Sequence, residues 1–347
     1  MKIRVGFLGA GAWGRENHLP ALAYLREQRL DGFEVELAGL CERRPDAACE
    51  VAAQFGIPRV HATLDALLAA GGIDCLAVVV KPRKLEAVIT QLVPTGLPIL
   101  MEKPPTLTSA GARRLAALVK TPHVVGFNRR YFPLIERFKA LVDALDGPYL
   151  AGCSFYRSER YDSQRFVQAP DTYDFPFMVG TAIHGINLLE HLCGEITGCD
   201  VAPVAVRTNQ TYATVSHLKF ASGLAGEARI LPCSGSSTER IEIHSQRRSL
   251  YLRAGLLYGT SDLPGSIEIH EGGRLVERIE GDADQSPLVR GGFVGEYLDL
   301  FRAMRDGTPT RANLANSVNS MRVCEQIEAA TPGGDARHRV TPISLCV

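Results

Sequence analysis

Apolar and polar positions change rhythm once along the chain. Up to Phe127, short unbroken apolar runs alternate with longer stretches whose apolar residues recur every three or four positions. A run from residue 2 or 3 to Leu8 leads into a helix-compatible stretch, then come Val35–Cys41, the alanine-rich Pro45–Phe55, a short strand at Arg59-Val60 and a helix at Leu64–Ala69. Ile73–Val80, the helix Leu85–Val93, Pro98–Glu102, the helix Ser109–Lys120 and His123–Phe127 complete the series. A continuous β-branched run such as Ile73–Val80 suits a strand buried on both faces. Strands alternating with helices imply βαβ units with right-handed crossovers, hence an N-terminal Rossmann-type α/β domain on a doubly wound parallel sheet. Pro20 is tolerated at the first position of a new helix, so His18-Leu19 reads as a break between two helical pieces. His18 then lies near the first turn, or is a half-buried polar residue at the break.

From Tyr149 the period shortens to two. Tyr149–Arg157, Val204–Asn209, Thr211–Phe220, Gly223–Ile230, Arg240–His244, Ser249–Arg253, Ser266–His270 and Arg274–Ile279 alternate between turn residues such as Ser222-Gly223 and Gly272-Gly273. They predict an antiparallel meander. Helices at Met178–Cys193, Phe293–Met304 and Ser317–Ala330 interrupt and close it. The expected division is a domain over 1–126 and an α+β domain over 127–347 with a large open, mainly antiparallel sheet.

Composition narrows the partners. In 347 residues, 38 Lys and Arg balance 38 Asp and Glu, so no global field points to nucleic acid or a membrane surface. Nine cysteines without a C-x-x-C pair read as reduced thiols. With a first strand beginning at once and no run approaching a membrane span, the expected location is the cytoplasm.

Candidate chemistry begins at the end of the first strand. Val5-Gly6-Phe7-Leu8-Gly9-Ala10-Gly11-Ala12-Trp13-Gly14 carries G-x-G-x-x-G between a strand and a helix. Gly9 makes the tight turn, Gly11 lets the backbone approach a pyrophosphate, and Gly14 lets helix and strand pack closely. Glu42 ends the second strand, where a carboxylate hydrogen-bonds both hydroxyls of an adenosine ribose and repels a 2′-phosphate. NAD is therefore expected, although Arg43 and Arg44 could turn onto the phosphate of NADP. Glu102-Lys103-Pro104-Pro105 ends a strand at the carboxyl edge of the sheet, where doubly wound folds bind ligands. An ammonium there can hydrogen-bond a substrate oxygen and exchange a proton with it; taken alone, it reads first as a surface lysine at a strand end. No H-E-x-x-H, cysteine cluster, G-x-S-x-G elbow or Walker lysine supports a metal site or a rival chemistry.

The glycine turn, Glu102-Lys103-Pro104 and Gly126-Phe127-Asn128-Arg129-Arg130-Tyr131 together resemble the Gfo/Idh/MocA oxidoreductases, and the resemblance extends over nearly the whole chain. It implies NAD(P)-dependent hydride transfer on a sugar or sugar-derived small molecule, and dimers or tetramers formed through the far face of the open sheet. Lys103 would be catalytic, with a Lys103-Pro104 bond that is often cis in members. Cofactor contacts would fall on Gly9, Gly11, Ala12, Trp13, Gly14, Glu42, Arg43, Lys81, Pro82, Glu102, Lys103 and Arg130, and substrate contacts on Lys103, Arg157, Arg165, Thr181, His184 and Asn187.

Two departures are visible. His184 matches a family histidine, a second catalytic candidate, but the aspartates around it fall on Gly180 and Asn187. Where members carry Thr-Pro, this chain has Lys81-Pro82-Arg83-Lys84. Cations at a helix N-terminus oppose its dipole, which suggests an anionic ligand, or else a solvated helix start. Tyr156–Tyr161 with Arg165 would face the substrate in the family, or form a solvated charged run. An imine or keto reductase acting on a non-sugar metabolite, and a non-catalytic nucleotide-binding homologue, remain the alternatives.

Overall fold

The computed structural model describes residues 1–158, 177–204, 213–256 and 263–331, and divides the chain into two compact units. The first comprises 1–140, 257–265 and 280–318, so it takes in chain on both sides of the sequence division at 126/127. Its sheet has six parallel strands in the order β3-β2-β1-β4-β5-β6. These are β1 (Lys2–Leu8), β2 (Glu34–Cys41), β3 (Val60–His61), β4 (Cys75–Val78), β5 (Ile99–Met101) and β6 (His123–Val125). Between them run α1 (Leu19–Gln28), α2 (Pro45–Phe55), α3 (Leu64–Ala69), α4 (Pro82–Leu92) and α5 (Ser109–Leu118). The strand order reverses between β1 and β4, which opens a crevice at their carboxyl ends. The central strands bury Phe7, Leu76, Ala77, Val78, Leu100 and Met101 almost completely, as their unbroken apolar character requires.

At Pro20 the helix does not break. Gly14–His18 forms a π turn that runs directly into α1, with the Leu19 N–H donating to Gly14 O. Pro20 cannot donate a backbone hydrogen bond and its ring crowds the preceding turn; one wider turn accommodates both effects. His18 is thereby fixed inside the helix with its ring fully buried.

The second unit comprises 141–256, 266–279 and 319–347. Its eight-stranded sheet has the order β14-β13-β12-β11-β7-β10-β9-β8, formed by β7 (Leu150–Ser158), β8 (Ile196–Val204), β9 (Ala213–Phe220), β10 (Ala225–Ser234), β11 (Thr238–His244), β12 (Arg248–Leu256), β13 (Leu263–Glu271) and β14 (Arg274–Glu280). The sheet is not a simple meander: β7 lies between β10 and β11, parallel to the first and antiparallel to the second. β8 also departs from expectation, since the strand lies at 196–204 rather than 204–209, of which 205–209 fall outside the described residues. Gly198 and Pro203 disguise it, and an edge position is where a strand tolerates proline.

Candidate active site

Residue by residue, the β1–α1 turn follows the logic of a dinucleotide cradle. Gly9 has φ +98°, and a Cβ there would lie 2.1 Å from Val79 O, so the turn closes against the end of β4 only with glycine. At Gly14 a Cβ would meet Gly9 O at 2.8 Å and the Phe7 ring at 3.2 Å. Gly11 is exposed with nothing within 4 Å of such an atom. The turn is therefore tight towards the protein and open where a pyrophosphate would approach.

Glu42 stands over the same turn. Its Oε2 accepts from Ala10 N at 3.0 Å, and its Oε1 accepts from the Arg44 backbone N at 3.1 Å and from Arg44 Nε at 3.0 Å. Partial burial pushes its carboxyl up, but these hydrogen bonds, led by the Arg44 side chain, hold it below the usual carboxylate range. A fixed anion beside this turn would favour NADH over NADPH if the adenosine ribose lies against it. Purified protein titrated with both reduced cofactors should bind NADH about tenfold more tightly or better, and Glu42→Ala should narrow the gap. Tighter NADPH binding would assign Arg44, and Arg43 beside it, to a 2′-phosphate.

The motif Glu102-Lys103-Pro104 follows β5, with the Lys103-Pro104 peptide cis and the Lys103 side chain partly exposed. Glu102 is the hub of this edge. Its Oε1 accepts from Trp13 Nε1 at 2.6 Å and from His18 Nε2 at 2.8 Å, and its Oε2 accepts from the backbone N–H of Lys103 at 3.0 Å. Burial pushes the Glu102 carboxyl up, yet the hydrogen bond and charge of His18, the charge of Lys103 and the bond from Trp13 together hold it below the ordinary range. Gly126 fits tightly against it, since a Cβ there would lie 3.3 Å from Oε1. Glu102 and Trp13, expected on the cofactor, thus direct polar atoms to each other.

Arg130, also expected on the cofactor, is buried, with Nη1 donating to Arg311 O at 2.7 Å. The reason lies in the 3₁₀ turn Asn128–Tyr131, which draws all four of its residues into the interior. Lys81 caps α4 with Pro82 in its first turn, directly after Val79 and Val80, which follow β4 and close on Gly9. Lys81, Arg83, Lys84 and Arg43 are exposed.

In the second unit, Thr181 lies in a π turn, Met178–Ala182, that leads into the helix Ile183–Cys193. This helix packs on β7: a Cβ at Gly185 would lie 3.1 Å from Cys153 Sγ and 3.2 Å from Phe155. His184 and Asn187 are buried, and Asn187 Nδ2 donates to Ser320 Oγ at 2.9 Å. Arg157 departs from expectation. Its guanidinium is buried 3.7 Å above the Phe155 ring and donates to Glu239 Oε1 at 2.5 Å, because alternation along β7 turns residue 157 to the same side as Cys153 and Phe155. Arg165 lies outside the described residues. Glu239→Ala leaves that guanidinium buried without its counter-charge and should cost about 3 kcal/mol of stability, read by urea unfolding. A loss below about 1 kcal/mol would mean that water reaches the pair.

Sequence reasoning did not find the partners contributed by the helix Phe293–Asp306. Tyr297 OH is 3.1 Å from His18 Nδ1, and the Phe293 ring stands edge-on to Trp13 and His18 at centroid distances of 5.9 and 5.6 Å. No local pattern links positions so far apart in the chain. Among the described residues no cluster of His, Cys, Asp and Glu is arranged to hold a metal, and no helix is long and apolar enough to cross a membrane.

The glycine turn, the carboxylate above it and a lysine at the switch-point edge define a dinucleotide-binding Rossmann unit. Residues 3–128 match the model of the Gfo/Idh/MocA oxidoreductase family with its NAD-binding Rossmann fold. Inositol 2-dehydrogenase from Corynebacterium glutamicum (strain R) is 28% identical over 54% of this chain; the match spans 57% of that relative, little more than half its length. Inositol 2-dehydrogenase from Rhizobium meliloti (strain 1021) is 26% identical over 87% of this chain and 86% of its own. The solved structure of levoglucosan dehydrogenase with NADH and levoglucosan superposes with a TM-score of 0.78 at 15% identity, covering 94% of this chain and 96% of that one, and so extends the likeness of fold to both units.

Proposed function

We propose that the protein is an NAD(H)-dependent oxidoreductase that moves a hydride between nicotinamide and a carbon of a sugar or polyol. The observation that carries this reading is Lys103, held at the carboxyl edge of β5 through Glu102, which also bonds the residues following the glycine turn. Gly9, Gly11, Gly14 and Glu42 would hold the dinucleotide, whose nicotinamide supplies the hydride-accepting carbon when bound. The Lys103 amine takes the proton of a substrate hydroxyl on oxidation and returns it on reduction. His184 is the weaker contributor, since neither Gly180 nor Asn187 offers it a carboxylate. Inositol and levoglucosan dehydrogenases among the similar proteins support cyclic polyols and sugars as the substrate class.

The test is absorbance at 340 nm with NAD⁺ and a panel comprising myo-inositol, aldoses, anhydrosugars and their carboxylate and phosphate derivatives. Turnover of none, with NADH binding retained, would favour a non-catalytic homologue. Lys81, Arg83 and Lys84 at the start of α4 support an anionic group on the substrate. Lys81→Glu should then raise KM about tenfold on the acidic substrate with folding unaffected, and an unchanged KM would remove the anion from the reading.

The reading includes a cytoplasmic homodimer or homotetramer. Free thiols at all seven cysteines whose side chains are described support the location. The sheet face opposite the helix Ile183–Cys193 is the surface proposed for assembly. There Arg229 pairs with Glu227 and Glu242, and Tyr251 stands edge-on between His244 and His270. Light scattering on the purified protein tests the assembly.

A further inference from the structure

The polar groups behind Lys103 form one chain of bonds within the first unit. It begins at Trp13 and His18, one residue before the π turn and at its end, passes through both oxygens of Glu102 and finishes on the backbone N–H of Lys103. Trp13 is the only tryptophan in the protein, and an indole N–H can only donate. An ionised Glu102 can only accept, so His18 must carry its hydrogen on Nε2. Nδ1 accepts from the Tyr297 hydroxyl when the ring is neutral and donates to it when the ring is charged. Phe293 packs edge-on against both rings, which fixes their planes. Glu102 thus has three donors on two oxygens in a site only 8% exposed, and little freedom to move without breaking one of them.

We propose that Trp13 and His18 are positioning residues for Lys103: through Glu102 they transmit the placement of the helix that follows the glycine turn to the lysine backbone, and so aim its amine. The inference rests on the reading of Lys103 as the acid–base group. A dinucleotide seated on the turn would touch the same segment that carries Trp13, so cofactor binding and the aim of the lysine share one mechanical element. Misplacement of a reacting group by about 1 Å can cost about 10²-fold in rate, so a loosened backbone bond at Lys103 has a measurable effect.

Trp13→Phe deletes the indole N–H while keeping an aromatic ring against Phe293, and His18→Gln keeps one polar group. Two readouts test the proposal. The first is hydrogen–deuterium exchange. Pro104 and Pro105 have no amide hydrogen, so in a peptide spanning 102–105 the Lys103 amide is nearly isolated. Its exchange should accelerate at least about tenfold in both variants, with protection of β1 and β4 retained. The second is a double-mutant cycle on the polyol turned over in the panel. Each variant should lower kcat about tenfold in the parent, with the NADH dissociation constant changed less than about threefold, and have almost no further effect when Lys103 is already Met. Equal losses in both backgrounds, or unchanged exchange at Lys103, would overturn the positioning role. Faster exchange at Lys103 with no loss from Lys103→Met would instead remove the lysine from the proton step, and the proposal with it.

Discussion

Lys103→Met should lower kcat by at least about a hundredfold while leaving NADH binding within about twofold. The alkoxide formed or consumed in a hydride transfer needs a proton partner, and a positioned acid–base group typically contributes about 10² to 10⁴ in rate. Methionine keeps most of the length and bulk of the lysine stem, so the backbone bond from residue 103 to Glu102 is retained and the change isolates the amine. The cradle at Gly9, Gly11, Gly14 and Glu42 is untouched, which is why binding should survive. His184→Ala should cost less than Lys103→Met. Stopped-flow single turnovers separate the proton step from product release. The reverse order of losses would make His184 the proton carrier and Lys103 a positioning group; no loss from either change would remove the assignment of both.

Much of the first unit is legible locally. Gly9 and Gly14 are dictated by contacts with their own strand and its neighbour, and Glu42 by its place at a strand end, so motif spacing is enough to find them. The His18–Glu102–Tyr297 array is different. Its members meet only after β1, β5 and the helix Phe293–Asp306 have folded together, and nothing in the pattern around His18 separates a ligand-facing residue from a core one. The π turns Gly14–His18 and Met178–Ala182 were hidden for another reason, since a helix widened by one residue over a single turn barely disturbs an apolar period of three to four. Arg157 shows the limit of composition. An arginine in a charged run reads as solvent-facing or ligand-facing, whereas its counter-charge, Glu239, comes from a strand paired only in the folded sheet. Asn187 likewise reads as a substitute for a family aspartate, and only the folded unit shows its amide on Ser320.

Behind the active edge lies a second acid, and its burial should make the stability of the first unit fall as pH rises. Glu296 is fully buried, and neither carboxylate oxygen has a hydrogen-bond partner among the described residues. Burial pushes its carboxyl well above the ordinary range; the charges of Glu102 and Asp299 push it further, and Arg129 opposes them only in part. The folded state therefore keeps a proton that the unfolded chain releases above about pH 4.3. A group whose folded value is raised contributes its full stability below the unfolded value and loses it as pH climbs towards the folded one, by up to about 1.4 kcal/mol per pH unit for one proton. Glu102 acts with the opposite sign: its depressed carboxyl stabilises the fold above about pH 4.3, and that contribution is lost in acid. Stability should accordingly decline between pH 5 and pH 8, and Glu296→Gln, which replaces a neutral acid with a neutral amide of the same shape, should flatten the decline and be the more stable form at pH 8. Urea unfolding followed by emission from Trp13 is suited to the measurement, because the only tryptophan lies in the same unit as Glu296. If the Gln variant and the parent decline in parallel from pH 5 to pH 8, Glu296 is ionised in the fold, and an ordered water or a closer approach by Arg129 must solvate it.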